Sequence, residues 1–306
     1  MTKLPFGHKI SQATLANPVV SIDDWGKMYA NRAFGFGQKR ASLSKIAESS
    51  QYLLSHCCIM SSVMVENTPF DYLIKPECSH LVNNNDDAWS NEVLRMSHKT
   101  FVGAFNFLEH FQNSKHAKGH ILDAQLRKVS ISPPDVWVWF CDILVATEMV
   151  HEQLIGDIRS GKVKYMSMGC VTDLVICSFC GARVTDANTY CQHLNFQKGM
   201  FMPDEDGIPR RIAELCGHPS LPNAGVKFIE ASWVETPAFP GAELRGIVSD
   251  ENGNDTWTGP KTKFTHSIAA GYQKVASLQN SDSLILNSNG DDAALEANLH
   301  WRLRNA

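Results

Sequence analysis

Cysteine and histidine residues in the second half of the chain constrain its folding more than any other feature. Two residues separate Cys177 from Cys180, Gly181 follows directly, and ten residues lead from Cys180 to Cys191, close to His193. Thiolate sulfurs and an imidazole at this spacing can surround one metal ion in a tight knuckle, and a glycine suits the sharp turn. Three thiolates with one imidazole match the tetrahedral preference of zinc, so we predict a zinc knuckle.

The predicted zinc site has a structural role. Cys177, Cys180, Cys191 and His193 fill four coordination positions, which leaves none open for a substrate or water. Cys170 is the alternative to His193 as the fourth ligand. The chain has nine cysteines, an odd number, which favours reduced thiols and a metal site over a disulfide framework. The competing interpretation is a set of buried free cysteines without metal.

Three apolar runs rich in β-branched and aromatic residues predict the strands of a buried core. They cover residues 57–65, 136–140 and 226–234, and two prolines end the last run. Apolar residues at helical spacing over 150–158 predict one helix beside these strands. We therefore predict an α+β protein with a β-rich core that the cysteine-rich insertion interrupts.

Composition divides the chain into three parts. Residues 1–50 contain scattered glycine, serine, lysine and arginine without a long periodic segment, and are predicted to be an arm or linker. Residues 51–249 form the predicted main domain, with the zinc knuckle inserted at about 170–200. Residues 250–306 are rich in asparagine, aspartate, serine and glycine, and are predicted to be a polar, weakly structured tail.

Charge and hydropathy argue against two classes of partner. The net charge is −4 at pH 7 and the sequence pI is near 6.3, which leaves no broad basic field for specific binding of nucleic acid. No stretch approaches the roughly 18–20 apolar residues that cross a bilayer, and the first residues do not resemble a signal peptide. We therefore expect a soluble, intracellular protein without a membrane partner.

His110, Ser167 and Glu230 are candidates for a catalytic site. Each lies in a segment typical of a strand or a turn, and Gly169 after the serine permits close approach of the backbone to a substrate carbonyl. Nucleophilic catalysis by a serine needs a base within hydrogen-bonding distance and a polar group that orients this base. Spacing alone does not bring these distant residues together. The competing interpretation is a satisfied core histidine and a strand serine.

An ordered set of motifs resembles the phage prohead protease family, in the branch with a zinc knuckle that occurs in large myovirus-like phages. The resemblance extends from about residue 55 to residue 247. Besides the CxxCG knuckle, the motifs are EHFQN at 109–113, KGHILDA at 118–124, DILVAT at 142–147, SMGC at 167–170 and FIEASWVETPAFPGA at 228–242. Their shared order is far more specific than any one motif.

The resemblance implies a serine endopeptidase with a barrel-like, β-rich core flanked by helices, as in the related herpesvirus assemblins. His110 is then the general base, Ser167 the nucleophile and Glu230 the residue that orients the base. His218 is the alternative third member of this group, and Glu235 is near Glu230 in sequence.

The resemblance also implies a biological setting. The expected substrates are the scaffold protein, the pro-segment of the major capsid protein, the portal and the protease itself, inside the viral procapsid in the host cytoplasm. Self-processing is expected after Glu48, in the sequence Ile46-Ala47-Glu48 between the arm and the first core strand. Whether the protein forms a homo-oligomer is left open.

Two alternatives to the serine peptidase remain. Cys170 lies three residues after Ser167 and is a candidate thiol nucleophile, although metal binding or packing explains it more simply. The other alternative is a non-enzymatic zinc-binding module for capsid assembly or nucleic-acid binding, in which Ser167 is structural. Arg183 and Lys198 are the only basic residues over 177–198, which disfavours recognition of nucleic acid.

Overall fold

A computed structural model describes residue 25 and residues 51–66, 72–132 and 135–248. The rest of the predicted arm, the expected cleavage position at Glu48 and the predicted tail over 250–306 lie outside the described residues.

Strands predominate over helices in the described residues. The strands are β1 Tyr52–Ser61, β2 Asp87–Ala88, β3 Phe105–Leu108, β4 Gly119–Ser132, β5 Val136–Glu148, β6 Tyr165–Thr172, β7 Val175–Cys177, β8 Arg183–Val184, β9 Phe201–Pro203, β10 Pro209–Arg211, β11 Glu214–Cys216, β12 Val226–Val234 and β13 Leu244–Val248. The α-helices are α1 Asn91–Ser97, α2 Glu152–Arg159 and α3 Gln192–Phe196. Short 3-10 helices cover Pro76–Leu81, His98–Phe101, Ser114–His116, Ala187–Thr189 and Pro222–Gly225. The predicted α+β class is confirmed.

Seven strands form one large sheet in the order β13-β1-β5-β4-β3-β12-β6. Neighbouring strands are antiparallel except β3 and β12, which are parallel. The two edges of the sheet meet where Tyr165 of β6 forms a single bridge with Glu243, just before β13. Within the described ranges, no continuous ladder joins β6 to β13, so the expected barrel-like core is an open sheet and not a closed barrel.

Alternation of side chains places one face of the sheet on the core. In β5, Val136, Val138 and Phe140 are buried, whereas Trp137 and Trp139 between them are partly exposed. β1 is buried along nearly its whole length and lies between β13 and β5 in the sheet. The strand predicted at 136–140 is the first part of the longer β5.

Aromatic rings from β12 fill the centre of the core. Phe228 stacks on Phe101 of the 3-10 helix before β3, with ring centroids 4.1 Å apart and an angle of 2° between the ring planes. Trp233 of the same strand is fully buried. β12 has the same bounds as the strand predicted at 226–234, and α2 covers most of the helix predicted at 150–158.

The cysteine-rich insertion is a small subdomain between β6 and β12. Its four-stranded sheet has the order β2-β11-β7-β8, and β9 with β10 forms a separate two-stranded sheet. The insertion continues to β11 at Glu214–Cys216, past the predicted end at about residue 200. β2 comes from an earlier part of the chain and pairs in parallel with β11, which joins the insertion to the main domain.

Gly119 at the start of β4 lies directly against β5. Its φ is +151°, and a Cβ atom at this position would lie 1.8 Å from the carbonyl oxygen of Ala146. We expect Gly119→Ala to lower the free energy of unfolding by at least about 2 kcal/mol, because the backbones of β4 and β5 have to separate. Urea unfolding followed by circular dichroism measures this change.

Gly156→Ala on α2 is the matched control. No heavy atom lies within 4 Å of the Cβ atom that this change adds. Alanine in a helix interior favours folding by roughly 0.5–1 kcal/mol relative to glycine, so this variant should be slightly more stable than the wild type. Equal free energies of unfolding for the two variants would contradict the close approach of β4 and β5.

Candidate active site and metal centre

His110 lies on a tight turn directly after β3. The N–H of Phe111 donates to the carbonyl oxygen of Leu108 at 3.1 Å, and the two residues between them, Glu109 and His110, have φ angles of 50° and 55°. Positive φ costs residues other than glycine on the order of 1 kcal/mol or more each. Backbone strain of this kind is concentrated at functional sites, which marks His110 as a candidate functional residue.

Contacts with β12 and the residue after it hold this strained turn in place. The N–H of Glu109 donates to the carbonyl oxygen of Trp233 at 2.8 Å. The carboxylate of Glu109 accepts from the N–H of Glu235 at 2.7 Å. Glu235 therefore supports the turn through its backbone.

The carboxylate of Glu230 on β12 lies against the imidazole of His110. Nδ1 of His110 is 2.8 Å from Oε1 of Glu230, and Oγ of Ser232 donates to Oε2 at 2.5 Å. The side chain of Glu230 is 1% exposed and that of His110 is 29% exposed. When a carboxylate accepts a hydrogen bond from the N–H at Nδ1, the neutral ring has its lone pair on Nε2, which is the atom that acts in a general base.

β6 brings Ser167 to the same face of the sheet as Glu230. In the antiparallel register, Ser167 lies opposite Ser232, and Gly169 lies opposite Glu230. Directly opposite residues point to one face and have Cβ atoms about 4.5–5.5 Å apart. The neighbouring Met166 points the other way, into the core. The register therefore gathers the candidate nucleophile, which is 5% exposed, and the candidate carboxylate on one face.

Gly169 leaves space for the Glu230 carboxylate beside β6. A Cβ atom at position 169 would lie 2.7 Å from Oε1 of Glu230 and 3.2 Å from Nε2 of Gln112. Oε1 of Gln112 is buried without a hydrogen-bond partner among the described residues. Sequence reasoning assigned no role to Gln112 or Ser232. The available signal for Ser232 is its position two residues after Glu230 in a strand, where both side chains share a face.

The other residues considered from the sequence lie elsewhere. Nδ1 of His218 is 2.6 Å from Oγ of Ser220 in the loop after β11, and burial, followed by the charge of Arg183, lowers the pKa of His218. Cys170 lies opposite Phe228 in the register of β6 and β12 and packs on the main core. Of the two candidates for the third catalytic residue, Glu230 is the one hydrogen-bonded to the histidine.

The four predicted metal ligands converge in the insertion. The donor atoms of Cys177, Cys180, Cys191 and His193 all lie within 4.8 Å of one another. Sulfur atoms at about 2.3 Å from a tetrahedral metal ion are about 3.8 Å apart, so the observed spacing could hold one ion. Three thiols and one imidazole are compatible with zinc. Cys170, the alternative fourth ligand, is not part of this group in the described residues.

Local backbone geometry forms the knuckle. β7 ends at Cys177, whose N–H donates to the carbonyl oxygen of Ala182 at 2.9 Å, and the N–H of Gly181 donates to the carbonyl oxygen of Cys177 at 3.0 Å. Gly181 has a φ of 69°, which accounts for the glycine at this turn. Burial raises the pKa of the Cys177 and Cys180 thiols, so a metal ion that binds them displaces protons.

Charged side chains connect the insertion to the main domain. Nζ of Lys198 lies 3.0 Å from Oδ1 of Asp87 on β2 and 2.9 Å from Oε1 of Glu214 on β11. Nη2 of Arg211 on β10 lies 2.6 Å from Oδ1 of Asp86. These ion pairs reinforce the pairing of β2 with β11 and hold the insertion against the segment before α1.

Comparison with family models, curated proteins and solved structures finds no match for this chain. No helix in the described parts of the chain is long and apolar enough to cross a membrane.

We expect the purified protein to contain one metal ion per chain, with zinc as the main element. Cys180→Ser removes one thiolate ligand and should lower the metal content well below one equivalent. Inductively coupled plasma mass spectrometry of the dialysed protein measures it. Cys170→Ser is the matched control and should keep the metal. Loss of metal in Cys170→Ser but not in His193→Ala would show that Cys170, and not His193, is the fourth ligand.

Proposed function

We propose that this chain is a serine endopeptidase of the phage prohead protease family, with a fold related to the herpesvirus assemblins. The main support for this proposal is the hydrogen bond between His110 and Glu230. The register of β6 and β12 puts Ser167 on the same face of the sheet as Glu230. A histidine supported by a buried carboxylate beside a serine is the arrangement that serine peptidases of unrelated folds share. The strained backbone at His110 is a second, independent argument for function.

In the proposed mechanism, Nε2 of His110 accepts the proton of Ser167 while the serine oxygen attacks the carbonyl carbon of the scissile bond. The protonated His110 then gives this proton to the leaving amine, and an acyl group remains on Ser167. Water repeats the cycle with His110 as the base and releases the acyl group. Backbone N–H groups near Ser167 stabilise the oxyanion of each tetrahedral intermediate.

Glu230 suits the role of orienting residue. One carboxylate oxygen accepts from His110 and the other from Ser232, so both oxygens have a donor and the carboxylate cannot rotate freely. Its burial strengthens the electrostatic support for the imidazolium that forms during the reaction. We therefore assign the third role to Glu230 and not to His218.

The zinc ion, when bound, has a structural role. Cys177, Cys180, Cys191 and His193 supply four ligands, which leaves no coordination position for a substrate. β7 carries Cys177 and follows β6 in the chain, and β6 carries Ser167. The metal therefore stabilises the segment that follows the nucleophile and takes no part in the chemical steps.

The resemblance of the motifs supplies the proposed substrates. They are the scaffold protein, the pro-segment of the major capsid protein and the portal, cleaved inside the procapsid in the host cytoplasm. Self-processing after Glu48 would separate the arm from the main domain. Proteolysis removes mass from the interior of the particle and makes maturation irreversible.

A non-enzymatic role of the insertion in capsid assembly is the second candidate function. Phe196, Met200 and Phe201 are 79%, 53% and 50% exposed, and neighbouring exposed apolar side chains are typical of protein-binding surfaces. Binding of nucleic acid is less favoured, because Lys198 forms ion pairs within the chain and Arg183 donates a hydrogen bond to a tyrosine hydroxyl.

Ser167→Ala and His110→Ala should each abolish cleavage of a purified scaffold protein or capsid pro-segment. Nucleophile and base act as one unit, so either loss should lower kcat/KM by on the order of a thousandfold or more, and the double variant should lose little further. Glu230→Gln should be milder, because the amide oxygen can still accept a hydrogen bond from His110. Timed cleavage assays resolved on gels give the rates.

Cys170→Ala is the matched control for these variants and should keep the wild-type rate. Circular dichroism and metal content establish that each variant is folded. Cleavage by folded Ser167→Ala protein that disappears in Cys170→Ala would make the thiol the nucleophile. Cleavage by both variants would remove this site from the mechanism, and a folded wild type inactive on every proposed substrate would favour the assembly role.

A further inference from the structure

A row of side chains crosses the outer face of the large sheet on β4, β5 and β1. Cys57 of β1 and Ile143 of β5 lie opposite each other, and both belong to the hydrophobic core. The next opposite pair, His56 and Leu144, therefore faces away from the core. Asp123 of β4 lies opposite Leu144 on its other side. Asp123, Leu144 and His56 thus form one row on three adjacent strands.

Trp25 from the N-terminal arm covers this row. Its Nε1 donates to Oδ2 of Asp123 at 3.0 Å, and its ring meets the imidazole of His56 edge to face, with centroids 5.2 Å apart. Asp123 and His56 lie on strands separated by one strand, which carries Leu144 between them, so the indole contacts both outer members of the row. Trp25 is fully buried.

The main domain holds the acceptor of the indole N–H in place. Oδ1 of Asp123 accepts from the N–H of Ala124 at 2.8 Å, and Nε2 of Gln125 donates to Oδ2 at 2.9 Å. Asp123 is fully buried. Because these contacts join residues 123–125 and do not involve Trp25, the carboxylate is already oriented for the indole. A preformed acceptor binds with little loss of conformational freedom.

The charges beside this row are paired within the main domain. Asp142 accepts from Nε of Arg127 at 2.9 Å and from Nη1 of Arg245 at 3.2 Å. Burial alone raises the pKa of Asp142, but Arg245 and Arg127 outweigh burial and hold the pKa well below its usual range. Burial lowers the pKa of His56 although the Asp142 carboxylate acts in the opposite direction, which favours the neutral imidazole. The row therefore has an aromatic ring, that of His56, and an oriented carboxylate, that of Asp123, as contacts for Trp25.

We propose that Asp123, Leu144 and His56 form an indole socket, and that Trp25 anchors the N-terminal arm in it. The occupant is Trp25 of this same chain. Since the anchor precedes Glu48, the arm stays bound to the main domain after the backbone is cut between residues 26 and 50. The contacts that support the socket are separate from the peptidase site, so the anchor does not depend on the proposed enzymatic function.

The test uses the full chain with a recognition sequence for an added site-specific protease inserted between Arg40 and Ala41. Ser167→Ala is included as background, so that self-processing does not interfere. After cleavage, the fragment that contains Trp25 should co-elute with the main domain on gel filtration. In a dilution series, Trp25→Ala should weaken this retention by at least about tenfold, as truncation of a buried tryptophan anchor does.

Two further variants and one control sharpen the test. Trp25→Phe keeps a ring without an N–H donor and should retain the fragment with intermediate strength. Asp123→Asn keeps the size of the acceptor but removes its charge, and should also weaken retention. Trp257→Ala lies outside the fragment and should behave as the wild type. If Trp25→Ala proves unfolded by circular dichroism, Trp25→Phe and Asp123→Asn decide the question.

Release of the wild-type fragment immediately after cleavage would overturn the proposal. Equal retention of the wild-type and Trp25→Ala fragments would also overturn it, because the arm would then be held elsewhere. A retained fragment that elutes only with a dimer would show that the arm of one copy occupies the socket of another, which contradicts anchoring within one chain.

Discussion

The buried carboxylate of Glu230 is the constraint on which the arrangement of the site depends. Removing a carboxylate from water is costly unless polar or charged donors surround it. Here the donors are His110, carried by the strained turn after β3, and Ser232 on the same strand. Gly169 has no side chain where the carboxylate lies, so β6 can approach closely. The strained turn, the glycine and the register of β12 thus all contribute to the contact between Glu230 and His110.

Local features of the sequence were sufficient to predict β12 and the convergence of the four candidate metal ligands. The apolar run of β12 ends at prolines, which cannot continue a central strand, and the turn between Cys177 and Cys180 brings these thiols together whatever surrounds it. The open sheet was not predictable, because closure depends on whether β6 and β13, which are far apart in the chain, pair along their length. His110 and Glu230 are 120 residues apart, so no local pattern pairs them, and only the order of the motifs suggested it.

The outer face of the sheet carries two polar groups centred on a histidine, and they differ in ways that matter for function. His110 lies on a strained turn and is 29% exposed, so its ring is accessible from solvent. His56 lies in the middle of β1, is fully buried, and is covered by Trp25. The carboxylate of Asp142, which lies beside His56, forms ion pairs with two arginines. A regular backbone, complete burial and paired charges are typical of a structural network, and only the first group has the access that catalysis needs.

The insertion affects the candidate site through the connection between its strands. β6 and β12 pair directly, yet residues 173–225 separate them in the chain. Closing a connection of this length costs conformational entropy, and cross-links within it reduce the number of unfolded conformations. A metal ion held by the group from Cys177 to His193 would be one such cross-link, and the ion pair of Lys198 with Glu214 joins the middle of the insertion to its returning strand. Contacts within the insertion therefore help to stabilise the register that sets β6 against β12, and with it the positions of Ser167 and Glu230 in the candidate site.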